Sequence, residues 1–567
     1  MLPPRRPRQN NAMEILTRAR RFFSRARFGF FQRAIFFIFS AAILFCGCAR
    51  RETPADLTII NGAEPETLDP ALLTGQPEMR IAIGMFEGLA RLDPKTARPI
   101  PGLAERWEIS PDGKIYTFHL RTNLVWSTGE PIRADDVVYS WIRTLNPLTA
   151  SEYAGQLYYV KNAEAFNTGK IKDASLVGIR ALDPFTVRVE LNHPIPFFLD
   201  LCAMPLTYVV PRQTIEKYGD RWLMARPLPG SGPYELVYWK LNDKVRLKKN
   251  PRYWDAANTR SDIIDILPIG SPSTAFDLYE QGAVDIIWDK EVVPAELLDV
   301  LRKRPDAHPF NYLATYWVNI NVTRKPFDDP RVRQALALAV DRDRIVKKIT
   351  RGGERPISHL IPDGTANYTS PPGLDYNPAL AKKLLAEAGY PGGKGFPRFE
   401  YIFNAPAGGG DKVHEDIAVE LQQMWRDTLG INMDLRQVEW KVWLSSTAHL
   451  DYDVGRGDWI GDYDDANTFL ALFQSNSGNN RTGWKNARYD ALVKAANEQT
   501  DVKKREKLFQ EAETILIRDE LPVIPLYIYA GINFYHPDIS GIYQNILDDH
   551  PLNYIRRKTK GESRGQK

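Results

Sequence analysis

The segment DYDVGRGDWIGDYDDANTFL, Asp451 to Leu470, gathers six aspartates around one arginine, Arg456, and holds no lysine. So many carboxylates on so short a stretch invite a cation. Calcium is the first to test, since Asp451, Asp453 and Asp462 fall on positions 1, 3 and 12 of an EF-hand count. The rest of the count fails: Gly455 stands at position 5, and Arg456 occupies position 6, where a glycine must make the turn. A guanidinium would then sit beside the ion, so no metal is expected. A plain solvated loop fits poorly too, because Trp459, Ile460, Tyr463 and Phe469 favour burial. An organic cation remains.

Catalytic patterns are sparse. The chain has no G-x-S-x-G elbow, no P-loop ending in G-K-[ST] and no H-E-x-x-H; His414-Glu415 lacks the second histidine. The glycine clusters at Gly392 and Gly408 do not open a helix after a strand, so they read as flexible loops. Neither an enzyme nor a bound cofactor is expected.

The first 47 residues hold nine arginines, one acid and no lysine, so the formal charge of +4 for the whole chain turns mildly negative once they are set aside. Nucleic acid is therefore not an expected partner. After them, AIFFIFSAAILFCGC, Ala34 to Cys48, is uncharged but shorter than the ~20 residues a spanning helix needs, which suits the apolar core of an export signal. FCGC resembles a bacterial lipoprotein signal with Cys48 as the lipidated residue. This makes 1–47 the signal and 48–54 a lipidated linker; an ordinary signal peptide or an uncleaved anchor are the alternatives, and translation could begin at Met13. Of the three cysteines only Cys202 lies beyond this region, so no internal disulfide is expected there, and FFLDLCAMPL makes it a core residue.

Strands and helices alternate irregularly, which predicts α/β or α+β lobes, more than one at 567 residues. KIYTFHL places Tyr116, Phe118 and Leu120 on one face at period two, and SGPYELVYWKLNDKVRLKK reads as two strands joined at Leu241 to Asp243. DDPRVRQALALAVDRDRIVKKI predicts a helix capped by Asp329, with Pro330 in its first turn and Val332, Leu336 and Val340 on one face. NPALAKKLLAEAGY predicts another, from Asn377 and Pro378 to Gly389. Trp107, Trp126 and Trp141 are expected in a core. The tail from Arg556 is basic and without large apolar residues, and 561–567 is expected to be mobile.

GAEPETLDPALLTG (Gly62 to Gly75), FEGLARLDP, PGLAERWEISPDGKIYTFHLR, WSTGEPIRADDVVYSW, KPFDDPRVRQALALAVDRDRI and AKKLLAEAGYPGG occur in this order. Together they resemble the oligopeptide-binding proteins of bacterial peptide ABC importers, within a large family of receptors for peptides and nickel. The resemblance implies a three-lobed α/β fold of the periplasmic-binding-protein type II class, with two mixed-sheet lobes closing on the ligand and an inserted extra lobe. Lobe I would take residues 55–86, 213–313 and 531–560, lobe II 87–212 and lobe III 314–530. It further implies a monomeric extracytoplasmic receptor that captures short peptides and delivers them to ABC permease subunits. It would be held to the membrane by its lipid. Dipeptides, murein peptides or a nickel chelate are alternative solutes, and a secreted peptidase is the rival from another class.

DWIGDYDD is similar to the family segment that receives the peptide ammonium, which assigns that role to Asp462. Trp459, Ile460 and Gly461, with Thr74, Gly75 and Gln76, would offer main-chain groups to an extended ligand. Arg456, His414 and Arg324 are the matched candidates for the peptide carboxylate. Arg456 could equally pair with Asp451, Asp453 or Asp458, and His414 could face solvent. Trp440 and Tyr153 match aromatic pocket walls, although each could be an ordinary core ring.

Overall fold

A computed structural model describes residues 52–288, 292–404 and 412–558. The export signal read at 1–47, the lipidation read at Cys48 and the mobility expected of 561–567 lie outside these residues. Among those described, no helix is long and apolar enough to cross a membrane.

Among the described residues one mixed sheet of eleven strands forms the backbone of the molecule, one of them, Arg355–Pro356, a short strand beside the main path. Its two longest strands, Ala307–Ile320 and Val523–Tyr535, pair antiparallel at its middle. On one flank lie Val454–Ile460, Phe399–Asn404 and Met433–Val438; on the other lie Ile286–Ile287, Leu57–Ile60, Ile263–Leu267, Lys244–Lys249 and Tyr234–Lys240. Strands of 14 and 13 residues are long enough to belong to both flanks, so the two sheets expected from the resemblance are continuous through them. The central pairing slips between Asn311 and Thr315. This frees Leu313, whose N–H donates to the Ile546 carbonyl instead.

A separate four-stranded antiparallel sheet orders Ala104–Ile109, Ile115–Leu120, Thr186–Glu190 and Ile179–Asp183. Tyr116, Phe118 and Leu120 point inward at period two, as their spacing predicts, and pack with Trp126, Trp141 and Cys202 in one core. Trp107 lies at its margin, partly buried.

Asn377 caps the helix Pro378–Glu387 through its side chain, as expected. The Asp329-capped helix is shorter than its apolar face suggests: Pro330–Leu338 ends, and Asp341 caps a second short helix, Arg342–Ile345. Val340 is buried all the same, in the turn between them. The basic tail is tied down at its start, because Arg556–Arg557 pair with Ile539–Ser540 and Arg557 forms an ion pair with Asp285. Composition alone could not supply that carboxylate.

Candidate ligand-binding site

The acid-rich segment begins as the strand Val454–Ile460, hydrogen-bonded antiparallel to Ala307–Ile320 from Ala314–Ile460 to Ile320–Val454. Alternation sends Arg456, Asp458 and Ile460 to one face, and Gly455, Gly457 and Trp459 to the other. The strand ends at Gly461, whose N–H donates to the carbonyl of the freed Leu313 at 2.7 Å. A Cβ at Gly461 would lie 2.5 Å from Leu313 Cδ2, so close approach, and not a turn, requires the glycine here.

Beyond Gly461 the chain folds back on itself. The Asp462 N–H and Trp459 Nε1 both donate to Thr468 Oγ1, at 3.0 and 3.3 Å. These bonds present the half-buried Asp462 carboxylate toward the body that carries the four-stranded sheet. From that body Gln156 Nε2 donates to Asp462 Oδ2 at 3.0 Å, and the Tyr153 hydroxyl lies near the same carboxylate. Burial pushes Asp462 up to about 7, against the pull of its hydrogen bonds from Tyr153, Gln156 and Thr468. Tyr463, next in sequence, stacks on Phe197 with ring centroids 4.6 Å apart.

Four of the six aspartates are paired with arginine. Arg324 holds Asp453 at 2.8 Å and Asp451 at 3.5 Å, Arg505 clasps Asp465 at 2.6 Å, and Arg456 pairs with Asp458. Asp464 accepts from the Ala366 N–H at 2.8 Å. Asp462 meets only neutral donors among the described residues. It is thus a sheltered carboxylate whose charge no side chain offsets, the arrangement an incoming ammonium would complete.

The basic candidates separate into two places. Arg456 is buried; besides Asp458 it donates to Asn404 Oδ1 at 2.5 Å and to His414 Nε2 at 3.2 Å. Aromatic rings crowd its guanidinium, Trp443 at 4.8 Å, Tyr316 at 5.8 Å and Trp440 at 6.0 Å. Burial is the largest influence and would lower its affinity for a proton, but Asp458, Tyr316 and Tyr529 together outweigh it and raise that affinity. His414, in the first turn of Val413–Leu429, therefore belongs to the Arg456 cluster and not to open solvent. Arg324 lies apart, on Asp451 and Asp453 before the strand begins.

Trp440 keeps a large exposed face while stacking on Trp443, so it is not an enclosed core ring. Tyr153 meets Asp462 directly. Thr74, Gly75 and Gln76 open the helix Gln76–Met85, with Thr74 exposed and Gly75 extended at the cap. No hydrogen bond among the described residues joins them to Trp459–Asp462. Sequence reasoning missed Gln156, Asn404 and Trp443; for Trp443 the signal was available, since W-x-x-W in EWKVWL puts both indoles on one helical face.

Residues 98–481 match the family described as bacterial extracellular solute-binding proteins, family 5 middle. The chain belongs to that family. The periplasmic oligopeptide-binding protein OppA of Salmonella typhimurium is 36% identical over 491 residues, covering 85% of this chain and 88% of the relative. The probable deoxycholate-binding periplasmic protein YgiS of Escherichia coli is 34% identical over 508 residues, covering 88% and 92%. The solved structure of OppAIV, a periplasmic oligopeptide-binding protein of Borrelia burgdorferi, matches with a TM-score of 0.78 at 34% identity, covering 89% of this chain and all of that one. The fold of this family 5 protein is accordingly of the periplasmic-binding-protein type II class.

Proposed function

We propose that this protein is an extracytoplasmic receptor that captures short peptides by their free ammonium and delivers them to an ABC permease. The observation that carries the reading is Asp462: a carboxylate sheltered between two bodies of the molecule, held by neutral donors, beside five aspartates already engaged by arginines or a backbone amide. A charge-assisted bond to an ammonium there is among the strongest available. The backbone of Trp459 to Gly461 and of Thr74 to Gln76 would pair with an extended chain, gripping its spine whatever its side chains. Arg456 with His414, or Arg324, would meet the carboxylate end according to length. The waters and aromatic walls at Trp440 and Trp443 would accommodate varied side chains.

The division into lobes at 55–86, 213–313 and 531–560, at 87–212, and at 314–530 belongs to the same reading. So do export through residues 1–47, a lipid anchor at Cys48 and action as a monomer without catalysis. The oligopeptide-binding relatives support the solute class, while the YgiS relative marks the rival: a steroid carboxylate brings no ammonium for Asp462. Titration calorimetry with tri-alanine tests this. Asp462→Ala is expected to weaken binding at least about 100-fold, and N-acetylation of the peptide to do the same. Unchanged affinity in either case removes the assignment, and mass spectrometry of ligand recovered from the purified protein then names the true solute.

A further inference from the structure

The contact between Gln156 and Asp462 joins residues 306 apart in sequence and crosses from the body with the four-stranded sheet to the flank carrying Val454–Ile460. Tyr153 and Gln156 belong to one turn: Ala154–Leu157 is a 3₁₀ helix, and Tyr153 stands at its N-terminal boundary. In that geometry positions three apart eclipse, so the phenol and the amide leave the helix on the same side. The amide donates to the Asp462 carboxylate at 3.0 Å, and the phenol lies beside it. Directly beside it, Tyr463 stacks on Phe197 at 4.6 Å with its ring 6° from parallel, and Tyr463 is counted within the apolar core of the opposite body. Asn467 Nδ2 adds a bond to the Tyr159 hydroxyl at 3.4 Å. The dipeptide Asp462-Tyr463 is therefore the plug by which one body seats in the other, with its polar half held by Tyr153 and Gln156.

A carboxylate has about four acceptor positions. Gln156 takes one on Oδ2, and the Tyr153 and Thr468 hydroxyls lie close enough to take two more, which still leaves a position for an ammonium on the same group. We propose that Gln156 is a positioning residue that ties ligand retention to closure: the carboxylate that receives the ligand's ammonium is the one by which Gln156 bridges the two bodies. This rests on the ammonium reading of Asp462. Ligand and lobe contact then reinforce each other, because a ligand that orders Asp462 pre-pays part of the cost of the bridge, and the bridge in turn bars the ligand's exit. Gln156 would act on escape and not on capture, since the peptide enters before the bodies meet.

The test uses the full mature chain with spin labels at the exposed Lys170 and Lys485, one on each body, and tri-alanine as the probe. Gln156→Ala is expected to raise the dissociation rate about tenfold, the loss from one charge-assisted hydrogen bond, with association within about twofold. It should also broaden the inter-label distance distribution. Gln156→Lys brings a side-chain ammonium to the carboxylate; it is expected to keep the inter-label distance narrow and to abolish tri-alanine binding. The proposal is overturned if Gln156→Ala leaves both dissociation and distances unchanged, if it slows association instead, or if Gln156→Lys still binds tri-alanine. Asp462→Asn separates the two readings. If it leaves tri-alanine affinity unchanged while Gln156→Ala broadens the distances, the ammonium assignment fails and the bridge stands. If it abolishes affinity while Gln156→Ala changes nothing, the bridge alone fails.

Discussion

Arg456 and Asp458 stand two residues apart on one face of one strand and form an ion pair against the rings of Tyr316, Trp440 and Trp443. The arginine is almost fully enclosed while the aspartate keeps partial contact with solvent. Removing the acid's charge would leave a guanidinium in an aromatic box with the neutral Asn404 and His414 as its partners and no counter-charge among the described residues. Asp458→Asn is expected to destabilise the fold by about 3 kcal/mol, the low end for a buried charge that loses its partner. Chemical denaturation checks this; a change below about 1 kcal/mol, the range of a surface pair, would mean that the guanidinium finds other company.

If Asp462 receives the ammonium, it sets the acid limb of ligand binding. Its folded-state value of about 7 lies above that of a free carboxyl, so the folded protein holds this proton more tightly than the unfolded chain does. Falling pH through 7 therefore favours the fold at this group while discharging the carboxylate that an ammonium needs. At the other side a peptide α-amino group loses its charge near 8. Tri-alanine affinity should trace a narrow bell with its maximum between these values, falling about 50-fold from pH 7.5 to pH 5 as the two fractions dictate. In Asp462→Asn the acid limb should vanish. A wild-type affinity that is flat from pH 7.5 to 5 would exclude Asp462 as the ammonium's partner.

Leu313 holds the loop in place by its carbonyl bond to Gly461, and the two chains approach so closely that no side chain fits between them. Leu313 is fully buried, so it cannot swing aside. Gly461→Ala should cost about 1–3 kcal/mol of stability, as overpacking does. It should also weaken tri-alanine binding, because Asp462 is the next residue. Thermal denaturation and calorimetry on the same sample separate the effects. Full stability with full affinity would show that the loop has more freedom than this contact allows.

What could be read from the sequence was local. Caps at Asp329 and Asn377 and the period-two run through Tyr116, Phe118 and Leu120 each involve groups within a few residues of one another, where spacing is itself geometry. Asp341, which opens the second helix, was equally readable as a cap and was hidden by the apolar face running past it. Asp462 came from motif resemblance, not from spacing. What could not be read is which partner each charge chooses: Asp458 against Asp451 and Asp453 for Arg456, or Gln156 for Asp462. Those choices depend on the slip at Asn311–Thr315 and on a contact spanning 306 residues, neither of which leaves a local pattern.

Lipid attachment at Cys48 would fix the receptor beside its permease. Labelled palmitate should enter the wild-type chain expressed in a bacterial host and not Cys48→Ser, which should appear in the soluble extracytoplasmic fraction. Equal labelling of both would place any acyl group elsewhere.

Peptide length offers a ruler across the site. Arg456 and Asp462 are six residues apart on a segment that is extended only as far as Ile460, so roughly 20 Å at ~3.3 Å per residue is the most that can separate them, the reach of an extended peptide of about five or six residues. Tri-alanine is too short to touch both. If Arg456 receives the carboxylate, replacing its planar fork by a point charge should matter only for ligands long enough to arrive there. Arg456→Lys is expected to leave tri-alanine affinity within about twofold and to weaken penta- and hexa-alanine about tenfold, the worth of one lost charge-assisted bond. Calorimetry over the series from three to six alanines measures this directly. A uniform loss at every length would assign Arg456 to holding the strand through Asp458, and the carboxylate would then fall to Arg324.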